Sequence, residues 1–489
     1  MAKKRTKKEE KVLFGVLKEN FSEWYSEILK RAGLVDIRYN VKGFVVYKPW
    51  AMYMIKKIYS LLEQELEKHG HKPCLLPLVI PPENFEKERE HVEGFEPEVF
   101  WITEAGKKKI ERLALRPTSE TAFYQMYSLW IRSYTDLPLK MYQSCSVYRY
   151  ETKATRPLIR TREILWIEAH DAFISEDEAL AQVKEDMETT KSVLWDKLGI
   201  PFIFFRRPSW DKFKGAVDTF ASDTLLPDGK ILQLPSTHYL GQNFAKAFDI
   251  KFKDENGKEK YVYQTCYGPG ISRILAAFIS IHGDDRGLVL TPELAPVQIV
   301  IVPILIKGKE EKVLKKCRDL KRKLEKNYQV ELDLREIRPG EKFYYWEMLG
   351  VPLRLEVGPK DVEKKQIVLS PRIGEKLTVS EKELDKQIEK VFDMIIKEMK
   401  KRAEKWFKDI VSEAKTMKEL EKNIKEKGGF VKVNLCSIDE DGEMCATELK
   451  EKLGVEVRGV RYDKKEKPTG NCIVCGKPAK YVVYVGKSY

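Results

Sequence analysis

The feature that most restricts the fold of this chain is a long stretch, residues 140–273, in which β-rich runs alternate with turns. Two such runs, MYQSCSVYRYE at 141–151 and ILWIEAHDAF at 164–173, flank an irregular loop. Ser175 and Glu178 then form a capping pattern for a helix. Strands with outer helices in this order predict a mostly antiparallel sheet.

Regular elements are also predicted on both sides of this sheet. Apolar residues recur with helical spacing over 21–33 and 49–70, and the run CLLPLVI at 74–80 predicts a strand. Residues 297–401 follow the order strand, helix, strand, loop, strand and helix, which is typical of a compact α/β domain. A lysine-rich helical connector and a tail with four cysteines come last.

The length of 489 residues is too great for one ordinary core and is typical of about three domains. The fold class predicted for the whole chain is α+β. We place an antiparallel-sheet domain at 1–290 and an α/β domain at 295–402, the latter with helices at 310–327 and 382–401. A small α/β domain is expected at 403–489.

Charge and targeting signals restrict the partners and the location. With 89 Lys and Arg against 76 Asp and Glu, the net charge is 89 − 76 = +13, which favours a polyanionic partner but is also common on thermophile surfaces. The basic start, MAKKRTKKEEK, has no apolar segment behind it and predicts a solvated, mobile arm rather than a signal peptide. The run VQIVIVPILI at 297–306 is shorter than the ~18 residues of a membrane helix and contains Pro303. We therefore expect a cytoplasmic protein without a membrane partner.

The cysteines fall into two groups. Four of the eight are scattered among apolar neighbours and are expected to be free thiols: Cys74, Cys145, Cys266 and Cys317. The other four lie in the tail: Cys436, Cys445, Cys472 and Cys475. Four thiolates suit tetrahedral zinc, and a cluster ending in C-x-x-C in a reducing compartment indicates a metal before disulfides. Cys436 and Cys445 are spaced more widely than the second pair, through the acidic loop SIDEDGEM.

Three arginines and a glycine turn fit a site for nucleotidyl transfer to a carboxylate. Arg149 lies on the predicted strand at 141–151, Arg160 lies in the loop that follows, and Arg273 comes after Gly268 and Gly270 at the start of an apolar helix. Phosphate oxygens need cations where charge develops, and the planar fork of arginine binds them bidentately. Glycines allow close backbone approach at a helix N-terminus. The ordinary alternative for each arginine alone is a solvated surface position.

These elements occur in the order of the signature motifs of class II aminoacyl-tRNA synthetases, which the chain resembles. Three further runs narrow the resemblance to the prolyl-tRNA synthetases: LRPTSET at 115–121, LWIEAH at 165–170 and STHYLGQN at 236–243. The archaeal and eukaryotic subgroup has a C-terminal zinc-binding domain and ends in tyrosine, as here at Tyr489. The resemblance covers residues 48–489. It implies a catalytic domain on an antiparallel sheet, an anticodon-binding α/β domain and a small zinc-binding α/β domain.

The resemblance also implies an activity, namely ATP-dependent attachment of proline to tRNA(Pro) through a prolyl-adenylate. The residues implied for proline binding are Thr118, Glu120, Arg149, Trp166, Glu168, His170 and His238. Those implied for ATP are Arg149, Glu151, Arg160, Thr161, Gln233, Ser236 and Arg273, with Gln233 close to a magnesium ion. Arg149 and Arg273 would be the catalytic pair, acting by position and charge rather than as nucleophiles.

The α/β domain is expected to contact the two guanines shared by proline anticodons. Guanine offers both acceptors and donors, so a cation and a carboxylate together suit it. Glu347 and Lys360 are the first candidates and Arg354 the second, with ordinary surface salt bridges as the alternative. Because class II catalytic domains pair through their first motif, the resemblance implies a homodimer.

Two other functions stay open at the level of the sequence. One is another class II synthetase, such as the threonyl or glycyl enzyme, against which LRPTSET and the terminal tyrosine argue. The other is a non-catalytic synthetase-like protein that binds tRNA. Such a protein normally loses its ATP-binding positions, whereas Arg149, Glu151, Gln233 and Arg273 are all present.

Overall fold

The computed structural model describes residues 15–87 and 98–489. The basic arm predicted at 1–11 lies outside the described residues. Within them, no helix is both long enough and apolar enough to cross a membrane.

The first unit is a sheet with helices packed around it. Its elements are α1 (Phe21–Arg31), β1 (Val35–Asp36), β2 (Val46–Tyr47), α2 (Pro49–Lys68), β3 (Lys72–Pro73), β4 (Val79–Ile80), α3 (Pro82–Glu86), β5 (Phe100–Ala105), β6 (Lys108–Leu115), α4 (Glu120–Trp130), β7 (Leu139–Tyr148), β8 (Glu163–Phe173), α5 (Glu176–Lys191), β9 (Ile203–Arg206), β10 (Asp218–Leu225), β11 (Ile231–Gly241), α6 (Asn243–Ala247), β12 (Lys251–Lys253), β13 (Glu259–Tyr261), β14 (Tyr263–Gly268) and α7 (Ile271–His282). Short 3-10 turns lie at Tyr134–Asp136 and Ser209–Asp211, and a π-helical turn at Ser192–Lys197 extends α5.

The second and third units continue the chain. The second contains β15 (Ile299–Pro303), α8 (Glu310–Leu324), β16 (Val330–Leu332), α9 (Pro339–Met348), β17 (Leu353–Val357), α10 (Pro359–Lys364), β18 (Gln366–Pro371), β19 (Leu377–Ser380) and α11 (Leu384–Asp409). The third contains β20 (Val411–Glu413), α12 (Met417–Glu426), β21 (Phe430–Leu435), a 3-10 turn (Glu440–Gly442), α13 (Glu443–Leu453), β22 (Glu456–Arg461) and β23 (Tyr481–Gly486).

One sheet of eleven strands runs through the first and third units, in the order β20-β21-β23-β22-β9-β10-β11-β14-β8-β7-β3. Only its outermost pairs, β20 with β21 and β3 with β7, are parallel. The second unit has its own five-stranded sheet, β16-β15-β17-β18-β19, with two parallel pairs around β15. The predicted α+β class and the mostly antiparallel sheet of the first unit are therefore confirmed.

Several predicted elements form for the reasons given by their local sequence. α2 begins at Pro49, whose missing N–H costs nothing in the first helical turn. α5 begins with a capping box: Glu178 N–H donates to Ser175 Oγ, and the Glu178 carboxylate accepts from the Ser175 N–H. Both helices lay an apolar stripe against the sheet, for example Ile55 and Ile58 of α2, which are fully buried.

The third unit is joined to the first by the pairing of β22 with β9, where Val460 lies opposite Arg206. A cluster of aromatic rings packs at this junction, with the ring centroid of Phe205 5.3 Å from those of Phe430 and Tyr484. The two regions predicted as separate domains therefore share one sheet.

Four expectations need correction. The run at 74–80 forms a strand only at Val79–Ile80, because Pro77 removes a donor and Leu75 is 75% exposed rather than packed. β7 ends at Tyr148, so Arg149 follows the strand instead of lying in it. The predicted loop after β16 contains the helix α9. The last helix of the α/β region, predicted at 382–401, ends only at Asp409.

Candidate functional site

Strand β8 is the base of the site. Because side chains alternate along a strand, Trp166, Glu168 and His170 share one face, and Ile167 and Ala169 lie fully buried on the other. β8 pairs with β7 on one side and β14 on the other, so its residues have fixed backbone neighbours.

A cavity of about 180 Å³ opens over this face. It is lined by Thr118, Glu120, Arg149, Trp166, Glu168, Arg207, Asp211, Lys212, Phe213, Thr219, Gln233, Ser236, His238, Cys266, Tyr267 and Gly268. Every residue predicted for proline binding lines it except His170. Such a volume suits a small molecule of about the size of an amino acid.

One end of the cavity is acidic. The Thr118 hydroxyl donates to Glu120 Oε2 at 2.5 Å and lies 3.1 Å from Glu168 Oε2, which also accepts from the Ser119 N–H. Burial opposes the charge on Glu168. A hydrogen bond from His170, the positive charge of that ring and further hydrogen bonds from Ser119 and Gln143 outweigh burial and lower the pKa of Glu168 to about 2. The carboxylate is therefore ionised and attracts an ammonium group.

His170 supports this end from behind. Its ring is fully buried and stacks on Phe123 with centroids 4.2 Å apart. Nε2 lies 3.3 Å from Glu168 Oε2, and Nδ1 lies 3.2 Å from the Tyr124 hydroxyl. Burial opposes protonation, but the neighbouring carboxylates, Glu168 first, raise the pKa of His170. His170 thus holds Glu168 in place. It was predicted to line the pocket, but it lies behind the lining residues.

Arg149 and Trp166 form the opposite side. Arg149 Nε donates to the Pro117 carbonyl at 3.1 Å, and its guanidinium lies 5.7 Å from the centroid of a Trp166 ring. The indole also covers the turn after β14: a Cβ on Gly268 would come within 2.5 Å of Trp166 Cζ2. Glycine is therefore required at this point by the tryptophan wall, a reason that the sequence alone does not reveal.

His238 lies on the far side of the cavity, between two hydroxyls. Its Nδ1 is 2.9 Å from Thr219 Oγ1 and its Nε2 is 3.1 Å from Ser236 Oγ. The Phe213 ring centroid is 4.6 Å away. Burial, with the positive charges of Arg207 and His170, lowers the pKa of His238 to about 3. The imidazole is therefore neutral and presents a flat, weakly polar surface.

A second cavity of about 130 Å³ shares Gln233 with the first and is also lined by Arg160 and Arg273. Arg273 Nε donates to the Ile159 carbonyl at 3.0 Å, and Arg160 Nε lies 3.5 Å from Glu151 Oε2. Burial and the charges of Arg149 and Arg160 lower the pKa of Arg273 to about 10. The neighbouring guanidinium groups of Arg149, Arg160 and Arg273 concentrate positive charge, which attracts a polyanion such as a triphosphate.

Of the other residues predicted for ATP, Ser236 lines the first cavity, whereas Glu151 and Thr161 line neither. Thr161 is buried and donates to the Glu163 carbonyl at 2.5 Å, so it shapes the loop after Arg160.

The terminal residue, Tyr489, also lines the second cavity. Its hydroxyl accepts from Arg156 Nη1 at 2.8 Å and donates to Asp228.

Sequence reasoning missed part of the lining. Arg207, Lys212 and Phe213 come from the segment between β9 and β10, and Cys266 from β14. Cys266 was predicted only as a buried free thiol, and it is buried. Arg207 belongs to the run FFRRPSW, which has neither a helical period nor a spacing with metal or phosphate chemistry. Only its burial, at 4% exposure, marks it out.

The four cysteines of the tail converge. Cys436 Sγ lies 3.7 Å from Cys445 Sγ, which lies 3.9 Å from Cys472 Sγ, and all four sulfurs are within 4.8 Å of one another. Sulfurs bound ~2.3 Å from a tetrahedral zinc ion lie about 3.8 Å apart. The wide spacing of Cys436 and Cys445 is bridged because Cys445 lies in α13, which folds back beside the end of β21.

The three residues of the second unit that were predicted to contact anticodon guanines have different surroundings. Glu347 is paired with Arg286, and Arg354 Nη2 donates to Glu356 Oε1 at 2.9 Å. Lys360 is exposed in the first turn of α10. Lys360 is thus the most accessible of the three to a large ligand.

Three family models match successive parts of the chain. The tRNA synthetase class II core domain (G, H, P, S and T) matches residues 100–282, and the anticodon binding domain matches 298–391. The prolyl-tRNA synthetase C-terminal domain matches 417–489.

Similar proteins match over almost the whole chain. The proline–tRNA ligase of Thermofilum pendens is 58% identical over 96% of this chain and 98% of its own length. That of Pyrococcus abyssi is 44% identical over the same shares. The solved structure of a Giardia lamblia prolyl-tRNA synthetase in complex with prolyl-adenylate superposes with a TM-score of 0.92, at 38% identity, over 97% of this chain and 99% of that one.

The burial of His238 leads to a prediction about its protonation. With a pKa of about 3, its imidazole should stay neutral from pH 8 down to pH 5. The side-chain NMR signal that disappears on His238→Gln substitution should therefore not titrate in this range. The same residue in the chain unfolded by denaturant should titrate near 6.5. A midpoint between pH 6 and 7 in the folded protein would contradict the assignment.

Proposed function

This chain belongs to the proline–tRNA ligases, and from that membership we propose which of its residues perform each step of the reaction. The chain activates proline with ATP and transfers the prolyl group to tRNA. The observation that carries the residue assignments is one small cavity with carboxylates at one end and, at the other, a half-buried arginine beside the indole of Trp166.

Proline fits this cavity by its three chemical parts. The secondary ammonium is held by Glu120 and the Thr118 hydroxyl, and Glu168 adds the charge that favours it. The carboxylate faces Arg149. The pyrrolidine ring lies against the flat surfaces of Trp166 and His238, with His170 behind Glu168 as its support.

ATP occupies the second cavity and the space next to Gln233, where the second cavity meets the first. Arg149 reaches the α-phosphate beside the proline carboxylate, and Arg160, Gln233 and Arg273 line the space for the rest of the nucleotide. Ser236 completes the wall between the sites, while Glu151 and Thr161 hold the loop that carries Arg160. Arg160 lies in a loop and can adjust to the nucleotide, whereas Arg149 directly follows β7.

The reaction needs no protein nucleophile. A proline carboxylate oxygen attacks the α-phosphorus, the bond to the bridging oxygen breaks, and pyrophosphate leaves with its electron pair. A terminal ribose hydroxyl of tRNA then attacks the prolyl carbonyl, and AMP leaves. Arg149 and Arg273 lower both barriers by meeting charge that develops on phosphate, in a site whose donors are already oriented.

Magnesium accompanies ATP in such a reaction and neutralises phosphate charge when bound. It prefers oxygen ligands and usually keeps phosphates and water in its shell. The side-chain oxygen of Gln233 already accepts hydrogen bonds from Arg207 and, more weakly, from Arg458. The amide oxygen of Gln233 is thus already occupied, so we place Gln233 close to the ion without ligating it, with phosphate and water oxygens as the ligands.

Zinc fits the four cysteines of the third unit. Cys436, Cys445, Cys472 and Cys475 bring sulfurs to the spacing that a tetrahedral ion requires, and among residues 15–87 and 98–489 only these thiols form the cluster. The ion would tie the end of β21 and α13 to the turn between Cys472 and Cys475. Its role is structural, since no position of the tetrahedron is left for a substrate.

The proposal also covers the identity of the three domains, the oligomeric state and the cellular location. The first, second and third units correspond to catalytic, anticodon-binding and zinc-binding domains at 1–290, 295–402 and 403–489. A homodimer is supported by apolar side chains exposed around α2 and the segment after it, namely Tyr53, Leu75 and Leu78. A cytoplasmic location follows from the need for tRNA.

The role of Arg149 is tested by ATP–pyrophosphate exchange stimulated by proline. Arg149→Ala should slow exchange roughly 10²–10³-fold, the scale for losing one preorganised donor to developing charge. Arg206→Ala is the matched control, because Arg206, at the end of β9, is half-exposed and forms an ion pair with Asp218 of β10. Exchange at the normal rate in Arg149→Ala would refute the assignment. Exchange with another amino acid in place of proline would refute the proposed pocket.

The zinc site is tested by metal analysis of protein purified without added zinc. One zinc per chain is expected, and Cys472→Ser should release it because a tetrahedral site with three thiolates binds far more weakly. Cys317→Ala, which removes a buried thiol of α8, should retain the metal. If Cys436→Ser keeps its full zinc content, then another group completes the site.

Anticodon reading is tested at Lys360, which is exposed on the second unit. Lys360→Ala should weaken charging of tRNA(Pro), by the 1–3 kcal/mol typical of a lost base contact, and leave proline-dependent exchange intact. The loss of charging caused by Lys360→Ala should vanish on a tRNA already mutated at the anticodon guanines. Lys364→Ala, in the same helix and also exposed, is the control. Equal impairment on both tRNAs would indicate a generic phosphate contact instead.

A further inference from the structure

Two arginines from different units meet on one buried carboxylate beside Gln233. Arg207, from the first unit, donates from Nη1 and Nη2 to the two oxygens of Asp223 at 2.8 and 2.7 Å. Arg458, from β22 of the third unit, donates from Nε to Asp223 Oδ2 at 2.8 Å. Asp223 is fully buried, and the two arginines are exposed by only 4% and 5%.

Both guanidinium groups extend beyond Asp223 to the same amide. Arg207 Nη2 donates to Gln233 Oε1 at 3.2 Å, and Arg458 Nη2 donates to it at 3.4 Å. Asp223 and Gln233 lie opposite each other on β10 and β11, so the backbone fixes their distance. A guanidinium has donors and no acceptor, so only the oxygen of Gln233 can face it. The amide nitrogen is thereby left for a ligand.

The approach of Arg458 depends on an irregularity in β22. Gly459 has a φ of 119°, and a Cβ there would lie 2.0 Å from the Arg206 carbonyl oxygen. The pairing of β22 with β23 shifts register at the same point. This bulge brings β22 against β9 and directs Arg458 into the first unit, where the Arg458 carbonyl also accepts from Arg207 Nη1 at 2.7 Å.

We infer that Arg458 is a positioning residue for the ATP side of the active site: through Asp223 and together with Arg207, it orients the Gln233 amide toward the nucleotide. The third unit thereby contributes to proline activation as well as carrying the cysteine cluster. The inference rests on the proposed function, in which Gln233 contacts ATP.

The charges agree with a permanent arrangement. Burial opposes ionisation of Asp223, but Arg207 and Arg458 lower its pKa. Burial likewise opposes the charge of Arg458, but Asp223 raises its pKa. A buried carboxylate that accepts from two guanidinium groups stays charged, and its neighbours stay in one orientation.

A purely structural role for Arg458 is the competing explanation, since the same ion pair fastens the third unit to the first. The two roles differ in what a lysine can replace. Lysine restores a positive charge on Asp223 but, as a single ammonium, cannot also reach Gln233. A structural role predicts that Arg458→Lys behaves like wild type, whereas a positioning role predicts a specific defect toward ATP.

The experiment is proline-dependent ATP–pyrophosphate exchange with full-length protein. Arg458→Lys should keep the melting temperature and zinc content of wild type. Its KM for ATP should rise about tenfold, the scale of a lost charged hydrogen bond, and its KM for proline should change by less than about twofold. Arg461→Lys is the control, because Arg461 lies on the same strand and pairs with Asp463.

A double-mutant cycle identifies the route. In the Gln233→Ala background, Arg458→Lys should add less than about twofold to the KM for ATP, because the amide that it orients is gone. Independent, multiplying effects would overturn the inference and indicate direct contact of Arg458 with phosphate. An unchanged KM for ATP in Arg458→Lys would overturn it as well. Absence of proline-dependent exchange in wild type would instead refute the proposed function.

Discussion

The active site depends on the pairing of β8 with its two neighbours. β7 and β8 are matched over ten consecutive pairs, from Leu139 with Ala172 to Tyr148 with Glu163, without an irregularity. A slip of one residue would turn Trp166 and Glu168 into the core and present Ile167 and Ala169 to the substrate. Register is therefore as important to this site as the identity of any single side chain. The packing of helices on the other face of β8 makes the slip costly.

Buried charge is the second condition that the fold satisfies. Glu168, Asp223 and Arg458 are removed from water and Arg149 partly so, which is unfavourable unless each finds a partner of opposite charge or a set of hydrogen bonds. Between its acidic and cationic groups, the same cavity also presents the indole of Trp166 and the neutral ring of His238 as uncharged surfaces. A zwitterion therefore meets dipoles and charges that are already in place, so little reorganisation accompanies the reaction.

The third unit is part of this arrangement because its sheet continues that of the first. Aromatic packing between Phe205, Phe430 and Tyr484 buries the junction, and the bulge at Gly459 brings Arg458 to Asp223. At the same edge, the Tyr489 N–H donates to the Ile231 carbonyl at 3.1 Å. The cysteine cluster and the pocket contact are thus two ends of one small unit, whose folding and docking affect the same active site.

The sequence by itself determined the elements whose causes are local. The capping box of α5, the proline at the start of α2, the period of β8 and the short runs LRPTSET and STHYLGQN are each encoded within a few consecutive residues. The helix and strand patterns predicted the fold class, because hydrogen bonding and side-chain direction within a helix or strand follow from neighbouring positions. The short runs carried the resemblance to the family, and that resemblance implied many of the residues that line the cavity.

Only the tertiary structure decided which distant residues meet. Arg207 and Arg458 are separated by 251 positions, and no period or spacing connects them. The placement of His170 behind Glu168, the extension of α11 to Asp409 and the joining of the first and third units in one sheet are of the same kind. Such contacts depend on burial, on the fit between units and on the partners available to each buried charge. These quantities arise from packing the whole chain and from no single segment of it.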